Sequence, residues 1–134
     1  MAEIKIRDLS VGDWVRYDIG TDAVQIMGIY VRNNQECVVM SDSYFPDGVI
    51  GFVERIKPIP LTPEILEKNG FEELKDKSWV GHNHHCHIQQ HGSSWTLLSN
   101  KRGFYRTIRF ENLAFVHELQ NALRLAGVEK EIEV

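Results

Sequence analysis

Cysteine is scarce in this 134-residue chain, with Cys37 and Cys86 as the only two. Two thiols cannot build a disulfide framework, and in a reducing compartment both read as weakly polar core groups. Long apolar runs are missing as well. Nothing approaches the roughly 20 apolar residues that cross a bilayer, and the start "MAEIKIRDLSVGDW" lacks the basic segment and apolar run of a signal peptide. A cytoplasmic protein with no membrane partner is expected. An excess of positive charge is also lacking: 15 Lys and Arg stand against 19 Asp and Glu, for a net charge of -4. That balance argues against a polyanion as the main partner, because phosphate neutralisation needs clustered cations. No Cys-x-x-Cys, no His-Glu-x-x-His and no nucleophile with a base and an orienting acid is evident, so the reading leans away from an enzyme.

The remaining composition, 43% hydrophobic and 25% charged, is that of an ordinary globular protein and excludes disorder over the whole length. The expected architecture is an α+β single domain. An N-terminal β half covers 1–57, a connector helix 58–71, and a C-terminal meander with a closing helix 72–134. In "VGDWVRYDI" the apolar Val11, Val15, Tyr17 and Ile19 share one parity, as a strand with one buried face requires, which leaves Trp14 on the wetter face. Strands over 23–31 and 36–40 flank Asn33-Asn34, a pair suited to a tight turn with positive φ. A fourth strand is expected over 49–56. Short strands joined by tight turns suggest a curled antiparallel sheet or an SH3-like barrel.

In "KPIPLTPEILEKNGF" Thr62 is placed to cap a helix, Pro63 suits its first turn, and Asn69-Gly70 offers a left-handed stop. Strands near 80–90, 95–99 and 104–110 follow as a meander, with Phe104, Ile108 and Phe110 sharing a core parity. Asn112 is the expected cap and Gly127 the expected stop of the last helix. Val116, Leu119, Leu123 and Ala126 recur at helical spacing, and His117, Gln120, Asn121 and Arg124 form a polar stripe expected on its exposed side. The tail "VEKEIEV" reads as a short edge strand or a frayed end.

Two stretches, "KPIPLTPEILEKNGF" and "FVHELQNALRLAG", resemble the paired signatures of small uncharacterised proteins of gut anaerobic bacteria and their phages or mobile elements. In that family a "PIPLT…L…GF" segment precedes a β region and a terminal "YVHxLQN" helix, and "DLSVGDWV" is similar to its opening strand. The matching positions are Pro58 to Thr62, Gly70, Phe71, Val116, His117, Leu119, Gln120 and Asn121, with Phe115 where Tyr is usual. The resemblance implies no activity. It implies a phage- or mobile-element-related accessory protein, and the histidine-rich stretch described next is no part of it.

Three constellations carry chemistry. "WVGHNHHCHIQQHG" (79–92) holds five of the six histidines. Read as one strand, it puts Val80, His82, His84, Cys86 and Ile88 on one face and His85, His87 and His91 on the other. His85 with His87, or His84 with Cys86, then forms half of a site for Zn²⁺ or Ni²⁺, needing a third ligand from elsewhere. Without that ligand the stretch is a solvated polar strand, and no resident cofactor is expected. "NKRGFYRTIRF" sets Lys101, Arg102, Arg106 and Arg109 beside Phe104 and Tyr105, an interleaving that single-stranded nucleic acid uses. Trp14, together with His117, Gln120 and Asn121, is the candidate surface for a protein partner or for self-association. A non-enzymatic interaction module is the leading expectation. A metal-binding protein or metal-dependent hydrolase and a nucleic-acid-binding accessory protein are the alternatives.

Overall fold

The computed structural model describes residues 8–18, 23–41, 45–81, 86–99 and 108–134. The chain is α+β, with two five-stranded antiparallel sheets and two helices. It divides into two compact units, Met1–Ile59 and Pro60–Val134. The connector helix expected between the halves therefore belongs to the second unit.

In the first unit β1 (Trp14–Tyr17), β2 (Ala23–Arg32), β3 (Gln35–Ser41), β4 (Val49–Phe52) and β5 (Ile56–Lys57) form a sheet in the order β4-β3-β2-β1-β5. Asn33 and Asn34 take φ values of 51° and 63° and close the β2–β3 hairpin between Arg32 and Gln35. That is the expected two-residue turn with both centres left-handed. The run over 49–56 is not one strand. A 3-10 turn at Val53–Arg55 breaks it, so β4 ends one edge of the sheet while β5 pairs with β1 at the other.

This break makes the sheet curl. Four strand spacings of a flat sheet measure about 19 Å, whereas the 3-10 link from Phe52 to Ile56 reaches only about 8 Å. At the exposed margin of the curl the Phe52 N–H donates to the Tyr17 hydroxyl at 3.2 Å. A Cβ at Gly51 would lie 2.7 Å from the Tyr17 ring, so glycine is what lets that ring rest against β4. A 3-10 turn precedes the last strand, which returns to pair with the first. β4 and β5 do not pair among the described residues, so the curled open sheet is the form adopted. Leu9, Val15, Val24, Ile26, Val38, Met40, Val53 and Ile56 fill the curl, with Tyr17 and Ile29 packed against them. Val11 departs from the expected strand. It is exposed at a turn, because Gly12 at φ 95° and Asp13, whose carboxylate accepts the Ser10 N–H, reverse the chain there.

In the second unit α1 (Pro63–Lys68) is capped by Thr62 Oγ1, which accepts the Ile65 N–H at 3.3 Å. Gly70 at φ 84° ends it, with the Phe71 N–H donating to the Leu66 carbonyl and the Gly70 N–H to that of Glu67, the paired bonds of a Schellman stop. The strands β6 (Glu72–Glu73), β7 (Trp79–Gly81), β8 (Cys86–His91), β9 (Ser94–Ser99) and β10 (Ile108–Leu113) follow as a meander in that order. Trp79, Cys86, Ile88, Trp95 and Leu97 share one face by register and are all buried. Gly81 makes room on that face for Phe71, whose ring lies 2.7 Å from where a Cβ would be.

The closing helix α2 (Val116–Leu125) begins later than the cap expected at Asn112. β10 runs on to Leu113, and Asn112 sits at its irregularity with φ 60°. Glu118 Oε1 takes the Ala114 and Phe115 N–H groups, and Gly127 supplies the expected stop. Ile108, expected in the core, is 46% exposed because β10 is an edge strand whose buried residue is Leu113. Pro60 bridges Phe115 and the Leu61 N–H donates to the Ala114 carbonyl, so the "PIPLT" segment meets the entry to the "FVHELQN" helix.

Candidate functional site

The first sheet has a second face, and it is apolar. Cross-strand register sets Trp14, Gln25 and Ser41 in one row, Gly28, Val39 and Ile50 in the next, and Tyr30, Cys37 and Phe52 in a third. These side chains alternate with the core residues of the same strands, so they point away from the curl. Ile50 is 58% exposed, Met27 at the β2 bulge 45% and Phe52 37%, while Trp14, Tyr30 and Val39 are half-buried. Gly48, at φ 104°, places its backbone against Val39 and Met27, extending the apolar surface to the turn before β4. The charges on this face stand in its end rows, Arg16 beside Lys57 at one end and Arg32 beside Gln35 at the other. Of these residues sequence reasoning singled out Trp14 alone. The signal it passed over is that "IMGIYV" and "VIGF" are apolar at both parities, whereas a strand with one wetted face alternates.

The histidine stretch is a hairpin arm and its return, not one strand. β7 pairs antiparallel with β8, Trp79 opposite Ile88 and Gly81 opposite Cys86, because this pairing joins the buried Trp79 to the buried Ile88 on one face. Val80 therefore falls on the face of His87, not on that of Cys86 and Ile88 as a continuous strand would have it. Cys86 is fully buried, and burial pushes its thiol above the ordinary value. His87 is half-buried on the opposite face. His84 and His85, the other members of the expected metal pairs, lie outside the described residues. Among the described residues no three His, Cys, Asp or Glu side chains gather as metal ligands would. Near His87, Ser78 donates its Oγ–H at 2.5 Å and its N–H at 3.0 Å to Asp76 Oδ1. Those bonds hold the Asp76 carboxyl below its ordinary value, with a smaller contribution from the charge of His87. Ser78 is buried and commits its proton to Asp76, so the pair closes a turn and supplies no nucleophile.

The polar stripe on α2 is not solvated. His117 is 5% exposed and stacks on Phe115 with ring centroids 6.1 Å apart. Gln120 is 1% exposed: its Oε1 accepts the Ile132 N–H at 2.6 Å and its Nε2 donates to the Lys130 carbonyl at 2.9 Å. Asn121 is half-buried and accepts from Arg124, which also pairs with Glu131 at 3.3 Å. The tail folds back against the stripe and bonds its Gln120 and Arg124. The tail is thus neither edge strand nor frayed end. From α1, Asn69 accepts the Glu133 N–H at 2.8 Å and donates to the Glu133 carbonyl at 2.7 Å.

Arg109 is exposed on β10 and forms an ion pair with Glu111 at 2.7 Å. Lys101, Arg102 and Arg106, its companions in the basic and aromatic stretch, lie outside the described residues. Among the described residues no helix is long and apolar enough to cross a membrane. Comparison of the chain with family models, with curated proteins and with solved structures found no match.

Proposed function

We propose that the protein is a non-enzymatic interaction module whose binding face is the outer surface of β1 to β4, and that its partner is another protein. The observation that carries this reading is the contiguous apolar surface made by Met27, Tyr30, Val39, Ile50 and Phe52 beside Trp14, with charge confined to the rows at its two ends. Apolar surface of this kind gains free energy when a partner covers it, and its aromatic side chains are of the type that dominates protein interfaces. A polyanion would find cations on this face in its end rows, Arg16 with Lys57 and Arg32, and none across its apolar middle, so the chemistry favours protein over nucleic acid. The resemblance of the "PIPLT" and "FVHELQN" segments to proteins of mobile elements supports an accessory role in such a locus.

The test uses a photo-crosslinking residue at position 50 in cells producing the protein, with the same residue at exposed Glu67 as control. Specific adducts, to a partner or to a second copy, are expected from position 50 and are lost when Phe52→Glu is added. Adducts equal in kind and amount to those of the control refute the reading, as does crosslinking indifferent to Phe52→Glu.

A further inference from the structure

The second unit carries a feature that this reading does not use. Gln120 on α2 and Asn69 at the end of α1 are buried carboxamides, 1% and 3% exposed, and both bond the backbone of residues 130–133, the Asn69 Nδ2 also donating to the Ile65 carbonyl at 2.7 Å. A carboxamide offers one carbonyl acceptor and N–H donors, the same pair of groups that a strand edge offers. In an extended segment the Lys130 carbonyl and the Ile132 N–H face one way, and both polar groups of Glu133 face the other. Gln120 and Asn69 thus hold the segment from two sides, as flanking strands would.

We propose that the Asn69–Gln120 pair is a binding site for an extended peptide, and that the chain's own residues 128–134 fill it as a detachable ligand. Hydrogen bonds of the pair read only backbone. Side-chain recognition comes from Ile132, 1% exposed, with Val128 at 6%, while Glu129, Glu131 and Glu133 stay exposed. Two cations frame the slot: Arg124 pairs with Glu131, and Lys68 Nζ donates to the Val134 carbonyl at 2.8 Å. The ligand class is therefore an acidic extended peptide with one aliphatic residue between acidic ones. Burial favours occupancy, because an emptied slot leaves both polar ends of the Gln120 amide and the Asn69 carbonyl without their partners, while the Asn69 Nδ2 keeps the Ile65 carbonyl. A peptide backbone is what replaces the tail. The tail is separable from α2 because the Schellman bonds at Gly127 and Val128 end the helix before the gripped residues begin.

The probe is a fluorescent synthetic peptide of residues 127–134, added to the full chain carrying Ile132→Ser, which loosens the tail's anchor. Saturable binding and a raised thermal midpoint are expected. Wild type binds the probe at least tenfold more weakly, since its own tail competes, and a probe carrying Ile132→Asp does not bind. A folded Ile132→Ser chain, judged by circular dichroism, that ignores the probe or binds both probes alike overturns the proposal. If that variant does not fold, hydrogen exchange of wild type decides. Amides of Ile132 and Glu133 are expected to exchange by local opening, at least tenfold faster than those of Leu119 and Leu123. Equal protection means that the tail leaves only when the unit unfolds, and the proposal fails.

Discussion

The two units solve the same problem, covering an antiparallel sheet, in opposite ways. The first covers one face by curling, so its core is lined by its own strands, and the Tyr17 hydroxyl accepts the Phe52 N–H at its exposed margin. Its other face is left apolar and exposed. The second unit has helices and a tail to spend, and its polar side chains turn inward: Gln120 and Asn69 are buried and hold backbone. Exposed apolar surface in one unit gains nothing for folding alone, and the buried amides of the other are stable only while the tail supplies their hydrogen bonds. Each is understandable as a place where something binds, a partner on the first and a peptide segment on the second.

One residue type tests the contrast most sharply. Ile88 is fully buried on β8, and Ile50 is 58% exposed on β4. Ile88→Ala should cost roughly 4 kcal/mol by urea denaturation, the removed apolar contacts plus the cavity left behind. Glycines give the next comparison. Gly51 admits the Tyr17 ring in the first unit, as Gly81 admits Phe71 in the second. A Cβ at either would sit 2.7 Å from a ring carbon, so Gly51→Val and Gly81→Val should each cost about 3 kcal/mol through overpacking. If Gly51→Val proves neutral, Tyr17 does not close the curl. Gln120→Leu comes third, at about 2 kcal/mol, because it strands the buried Ile132 N–H without an acceptor.

Much of this was legible from local chemistry. Asn33-Asn34 announced a left-handed turn, and Thr62, Pro63 and Gly70 announced α1, since each acts through backbone groups within a few residues. What was not legible depends on residues far apart in the chain. Asn69 meets Glu133 across 64 positions, and that contact turns an apparently solvated stripe into a buried one. The run over 49–56 has strand chemistry throughout, yet β5 is drawn to the β1 edge, a competition that periodicity does not register. The histidine stretch misled for the same reason. Parity holds only along one strand, and Trp79 pairing with Ile88 folds the segment on itself. Trp14 alone marked the outer apolar face from sequence, because exposure at both parities of "VIGF" follows from what fails to cover it.

Cys86 offers a pH handle on the second unit. Burial holds its thiol above the ordinary value of 9.0, so the folded chain stays protonated where the unfolded chain ionises. The contribution to stability is full below the unfolded value and drains as pH rises from about 9 through the folded value. Urea midpoints of wild type should fall between pH 8 and pH 10 by more than those of Cys86→Val. Equal slopes would mean that the thiol is hydrated in the folded state.

The smallest expected effect is the most informative about the first unit. Ile50→Glu puts a charge on a side chain that already faces water, adds no volume to a packed interior and breaks no hydrogen bond, so stability should change by less than about 0.5 kcal/mol. Were Ile50 part of a core, the same change would bury an unpaired carboxylate and cost several times more. An unaltered melting curve, together with loss of the adducts formed by a photo-crosslinking residue placed at position 52, separates the two meanings of an apolar residue. Ile88 is apolar because the fold needs it, and Ile50 is apolar although the fold does not.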